Sequence, residues 1–209
     1  IDRIENVNNA WISIYKKHKL GIQGIFNVKL QLKENLDDKT VRKTISETRK
    51  LLLNNRSIST DLDKINVLKK DIISIVADIS IDSFIVGEEI LAKIYHKIES
   101  KLNSKISFHN YKDEIDLGKS IEDLYTGVIT SNGYIRNSDL VEKTSEIYVS
   151  ELKEIIKNID GVLTIKNFEV YKNGIKIFDN VISFSENSYP SLEEVDNYFS
   201  NDSEGDIKF

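Results

Sequence analysis

Apolar and polar positions change period several times along the chain, and each change marks an element. From Ile4 the apolar residues Val7, Trp11, Ile14 and Tyr15 recur at helical spacing, predicting an amphipathic N-terminal helix within residues 1–23 that ends near Lys19 to Gly21. From Gly24 the period shortens: Phe26, Val28, Leu30 and Leu32 alternate with Asn27, Lys29, Gln31 and Lys33, as a half-buried strand requires. Asp37 and Asp38 are placed to start a helix whose apolar stripe is Val41, Ile45, Leu51 and Leu52. Ile65 and Val67 suggest a short strand. Ile73, Ile75, Ala77, Ile79 and Ile81 then alternate with Ser74, Asp78 and Ser80 in the clearest strand of the sequence. Gly87 to Leu102 is helical by the spacing of Ile90, Leu91, Ile94, Tyr95, Ile98 and Leu102, and Ile106 to Phe108 can return as a strand.

That order, β-α-β-β-α-β, predicts a ferredoxin-like α+β domain over residues 24–110, with both helices on one face of a single sheet. Residues 111–136 read as a connecting segment, with a short helix at Ile121 to Tyr125 started by Ser120 and Asp123 in a capping arrangement. Residues 137–185 form a smaller helix–strand–hairpin unit. Its helix carries Leu152, Ile155, Ile156 and Ile159 and stops at Gly161. A strand follows from Val162, and Asn173-Gly174 supplies the two positive-φ positions of a tight hairpin. Residues 186–209 hold seven carboxylates, few apolar anchors and the lone proline, Pro190, predicting an acidic arm or tail.

Composition narrows the function. The chain has 29 basic and 34 acidic residues in 209, a net charge of -5, so no broad positive field is available for a phosphate backbone, and nucleic acid is a poor partner. No apolar run approaches the roughly 18 residues of a membrane span, so no direct membrane insertion is expected. Cysteine and methionine are absent, and the chain begins at Ile1, which reads as a fragment of a longer chain.

Chemical motifs are sparse. His18, His96 and His109 have no partner at metal-ligand spacing, and the nine glycines form no phosphate-binding loop, so neither metal nor cofactor is expected. Asp78 and the pair Glu88-Glu89 are the best acid–base candidates, but Asp78 falls on the solvent side of its strand and acids in a first helical turn complement the helix dipole. The exposed positions of the sheet, Asn27, Lys29, Gln31, Ser74, Val76 and Asp78, lack the stacking aromatics of an RNA-binding sheet. No catalytic residue is assigned, and the chain is not expected to be an enzyme. A small-molecule-binding regulatory domain of ferredoxin-like topology is the alternative, because such sites lie in loops and dimer interfaces with little sequence signature.

From Ile121 the sequence reads Ile121-Glu122-Asp123-Leu124-Tyr125-Thr126-Gly127, then Asn132-Gly133-Tyr134-Ile135, Ser138-Asp139-Leu140, and Glu146-Ile147-Tyr148-Val149-Ser150-Glu151-Leu152 running to Ile159-Asp160-Gly161-Val162. In order and spacing these stretches resemble the baseplate J-like family, the large baseplate wedge component of bacterial contractile, phage-tail-like injection systems, with Glu151 where that helix usually carries aspartate. Trp11, Gly24 to Val28, Asn54-Asn55-Arg56 and Val76 to Ile79 extend the resemblance upstream, so that it covers roughly residues 10 to 180. It implies a structural protein without catalytic residues that contacts other wedge subunits, the tail hub and sheath-linking proteins, and self-associates in the full-length protein. It also implies cytoplasmic assembly into a particle that is docked at a membrane or released. Tyr134, Ile135, Leu140 and Tyr148 are the expected partner-contact residues, in a helix–strand unit over Tyr134 to Val162.

Overall fold

The computed structural model describes residues 4–14, 24–82, 84, 86–103, 107–126, 133–140, 142–193, 200–201 and 206–208. The chain is mixed α+β and divides into two compact units, one from residues 1–68 and 105–143, the other from 69–104 and 144–209.

In the first unit, β1 (Val7–Ile14), β2 (Ile25–Leu32) and β3 (Asp61–Val67) form a three-stranded sheet in that order, with β1 antiparallel and β3 parallel to β2. The expected N-terminal helix is therefore a strand over Val7–Ile14; its expected end at Lys19 to Gly21 lies outside the described residues. The reason is tertiary. The backbone donors and acceptors along β2 need ladders, and Ala10, Ile12 and Ile14 line up with Leu30, Val28 and Phe26 in a register that the helical reading of Val7, Trp11 and Ile14 passed over.

Helix α1 (Asp38–Asn54) connects β2 to β3. Its first turn closes with the Val41 amide donating to the Asp37 carbonyl at 3.0 Å. The buried stripe is Val41, Thr44, Ile45, Thr48 and Leu52, with the two threonines fully buried. Their hydroxyls donate to the carbonyls of Thr40 (2.9 Å) and Thr44 (2.8 Å), so they enter the interior without an orphaned donor. Val28, Leu30 and Leu32 form the centre of this core.

In the second unit, the 13-residue strand β4 (Lys69–Ile81) is the spine. Helix α2 (Gly87–Leu102) follows it with the bounds that the apolar spacing gives. After the short strand β5 (Glu146–Tyr148) and helix α5 (Val149–Lys157), the chain forms β6 (Val162–Lys172), which pairs antiparallel along most of β4, and turns through Asn173 (φ 50) and Gly174 (φ 78) into β7 (Ile175–Ile177). Ile73, Ile75, Ala77 and Ile79 pack with Ile90, Ile94, Ile98 and Leu102 of α2 and Leu152 and Ile156 of α5, which places both helices on the same face of the sheet. Strand β8 (Val181–Ser183) pairs with β5 in a separate two-stranded ribbon.

Three further expectations are corrected here. The two halves of the ferredoxin-like unit over 24–110 do not share a sheet: β2, α1 and β3 belong to the first unit, and β4 and α2 to the second. Leu68 alone separates the two strands, with its amide donating to the Leu30 carbonyl at 2.8 Å, so a strand order readable from periodicity is cut by a one-residue transfer between sheets. The expected closing strand at Ile106 to Phe108 does not form at Ser107 and Phe108, and Ile106 lies outside the described residues. Nor are residues 186–209 a free arm. Ser188 to Leu192 form β9, with every residue buried, parallel to the first half of β4, and Asp206–Lys208 (β11) continues along the same edge of β4, itself paired with β10 (Ser200–Asn201). Among the described residues β9 is paired on one side only, which suits Pro190. The remaining acidic residues, at 194–199 and 202–205, lie outside the described set.

Candidate functional site

Residues 107–140 of the first unit are more than a connection. Asn110 caps α3 (Tyr111–Asp116) by accepting from the Asp113 amide at 2.9 Å. Ser120 starts α4 (Ile121–Thr126) in the expected way: the Asp123 amide donates to its Oγ at 3.1 Å, and that hydroxyl donates to the Asp123 carboxylate at 2.7 Å. Each short helix buries one side chain, Glu114 in α3 and Leu124 in α4.

Glu114 is fully buried, and its two oxygens are taken by two cations, Lys119 at one and Arg136 Nε at the other, the latter at 2.6 Å. Lys119, then Arg136, outweigh burial and hold the carboxyl below the ordinary carboxylate range. A second clamp lies beside it in sequence. His109 Nε2 stands 2.8 Å from Asp139 Oδ2, and the same oxygen accepts from the Arg136 amide at 3.0 Å. That amide, opposed by burial and helped by His109, keeps Asp139 below its ordinary range. His109 and Tyr134 also exchange backbone hydrogen bonds, both 2.8 Å. Gly133 (φ +128) precedes this bridge, and a Cβ there would stand 2.6 Å from the His109 carbonyl oxygen.

These clamps fix the segment that carries three of the four expected contact residues. Tyr134 and Ile135 are half-buried, whereas Leu140, just past a 3-10 turn at Asn137–Asp139, is 62% exposed. Tyr148 lies in the second unit, opposite Val181 in the β5–β8 ribbon, and is 40% exposed. The stretch from Tyr134 to Val162 is thus divided between two units and is not the single helix–strand unit that the sequence suggested. Sequence reasoning missed the pairing of Glu114, Lys119, Arg136 and Asp139, and gave His109 no partner. The available signal was a cluster of opposite charges in a stretch read as a linker.

The other candidates resolve simply. Asp78 accepts from the side-chain amide of Asn167 at 2.6 Å, and Glu88, Glu89 and His96 are exposed, while His18 lies outside the described residues. Among the described residues, no group of three or more His, Cys, Asp or Glu side chains could hold a metal ion, and no helix is long and apolar enough to cross a membrane.

No protein-family model and no curated protein matches the chain. A likeness does appear among solved structures, to a chain of the cryo-electron microscopy structure of the anti-feeding prophage baseplate, determined with 6-fold symmetry. The two superpose with a TM-score of 0.63 at 14% sequence identity, over 88% of this chain and 35% of that one. The present chain thus has the fold of about a third of a baseplate protein.

Proposed function

We propose that this chain is a structural part of the baseplate of a contractile, phage-tail-like injection system, and within it a piece of the baseplate J-like wedge component. The carrying observation is that a likeness in fold to a baseplate protein extends over 88% of the chain, where the order of short motifs from Ile121 to Val162 had independently pointed to the same class of particle. The protein acts by contact and not by catalysis, with other wedge subunits, hub and sheath-linking proteins as its partners. Assembly takes place in the cytoplasm before the particle docks at a membrane or is released. Leu140 and Tyr148 suit that role as exposed apolar side chains on backbone fixed by hydrogen bonds, so little order is lost when a partner covers them. The regulatory-domain alternative rested on one ferredoxin-like sheet, which the strand order does not form.

The test is to place an affinity tag on the full-length parent protein in its native host and purify sheath-and-tube particles. Tag density at the ring closing one end of the tube is the expected outcome. Particles that assemble normally after deletion of the gene, with the tagged protein sedimenting apart from them, would refute the proposal.

A further inference from the structure

Helices α3 and α4 repeat one arrangement ten residues apart. The fourth position is buried (Glu114, Leu124), and the first and fifth carry an aromatic and an isoleucine in opposite order: Tyr111 and Ile115, then Ile121 and Tyr125. Positions four apart lie side by side on a helix. Ile121 and Tyr125, 57% and 64% exposed, therefore form an uncovered apolar stripe, and Tyr111 is uncovered as well. Around these residues the charge is one-sided: residues 107–126 hold five carboxylates against two lysines, and one of those lysines is already committed to buried Glu114. Glu122, three positions before Tyr125 on α4 and so beside it, is exposed, and so is Asp116 at the end of α3.

We infer that the exposed face of α4 is a docking surface for a basic amphipathic helix of a partner protein, whose apolar face covers Ile121 and Tyr125 while its lysines and arginines meet Glu122 and the exposed Asp116 that precedes α4 in the chain. An apolar stripe flanked by uncompensated carboxylates selects for that chemistry. Anionic lipid and nucleic acid, which also recruit amphipathic or aromatic surfaces, are repelled by the same carboxylates. The surface rests on these residues alone and stands whatever particle the chain belongs to.

The probe is a labelled helix of about 18 residues, five turns, built from leucine and lysine, titrated against the whole chain by fluorescence anisotropy. Saturable binding is expected, weakening by roughly tenfold or more when salt rises from about 0.05 to 0.5 M. It should also weaken about tenfold with the Asp116→Lys/Glu122→Lys variant, and as much with Ile121→Asp/Tyr125→Asp. The charge variant alters only exposed side chains and spares Asp123 of the Ser120 cap, so it reports on binding with the fold retained. The inference is overturned by absence of saturable binding, by equal affinity for both variants, by equal affinity for a leucine–glutamate helix, or by tighter binding to phosphatidylserine vesicles or duplex DNA. Failure here leaves the baseplate proposal standing, and a chain absent from sheath-bearing particles leaves this surface standing.

Discussion

Arg136 Nε donates to Glu114 Oε1 at 2.6 Å, joining residues 22 positions apart through a carboxylate that water does not reach. Lys119 takes the other oxygen, so each half of the charge has a partner. Removing one member of such a set leaves a buried charge uncompensated, which is worse than never having built it. Arg136→Ala is therefore expected to lower the melting temperature markedly, and Glu114→Leu combined with Arg136→Met to recover much of the loss. Equal melting temperatures for Arg136→Ala and wild type in calorimetry would remove the clamp from the account.

The same carboxylate gives a pH dependence. Because its folded pKa lies below its ordinary value of 4.5, Glu114 contributes stability that is fully present above about pH 4.5 and is lost as pH falls through the lower folded value. Urea unfolding followed between pH 7 and pH 3 should show this decline, and Glu114→Gln, less stable at pH 7, should decline less steeply.

Gly133 precedes the bridge that fixes Tyr134. Gly133→Ala places a Cβ against the His109 carbonyl at a φ that L residues rarely adopt, costing roughly 1–3 kcal/mol. Denaturant titration measures it, and Gly118→Ala, also at positive φ but with nothing within 4 Å of its Cβ, should cost less.

The double substitution Tyr134→Ala/Leu140→Ala tests the contact role. Interface anchors cost roughly 1–4 kcal/mol each when truncated, so assembly into particles should fail while circular dichroism and melting stay close to wild type. Half-buried Tyr134 carries some folding risk, which Leu140→Ala alone, at an exposed position, avoids. Normal assembly of both variants would move the contact surface elsewhere.

In the second unit, Asp71 ties β9 to the sheet. Its carboxylate accepts from Ser188 Oγ at 2.7 Å, Asn173 Nδ2 at 3.0 Å and Lys172 Nζ at 3.2 Å. Burial would raise its pKa, but these three donors together lower it. Asp71→Ala should weaken the β4–β9 pairing by roughly 1–3 kcal/mol, seen as faster hydrogen exchange at the amides of Ser188 to Leu192 relative to those of β6.

What the sequence determined by itself is local. The bounds of α2, the alternation of β4, the Ser120 cap, the positive φ of Gly161 just before β6 and the Asn173-Gly174 turn each follow from the backbone preferences and period of a few neighbouring residues, and the structure keeps them, although α5 ends at Lys157, short of the expected stop at Gly161. Tertiary structure decided everything that depends on which backbone finds which ladder. Val7 to Ile14 became a strand because β2 offers it a register, and Leu68 ended one sheet and let β4 begin another. Ser188 to Leu192 left an apparently acidic tail because β4 had an open edge, Glu99 accepts the Leu192 amide at 3.0 Å and Tyr95 donates to the Glu193 carbonyl at 2.6 Å. The contact segment obeys the same division: Tyr134, Ile135 and Leu140 were legible as apolar residues in irregular sequence. The clamps that hold them were not, since Glu114 and Arg136 meet across 22 residues and the energy of that meeting exists only where burial excludes water.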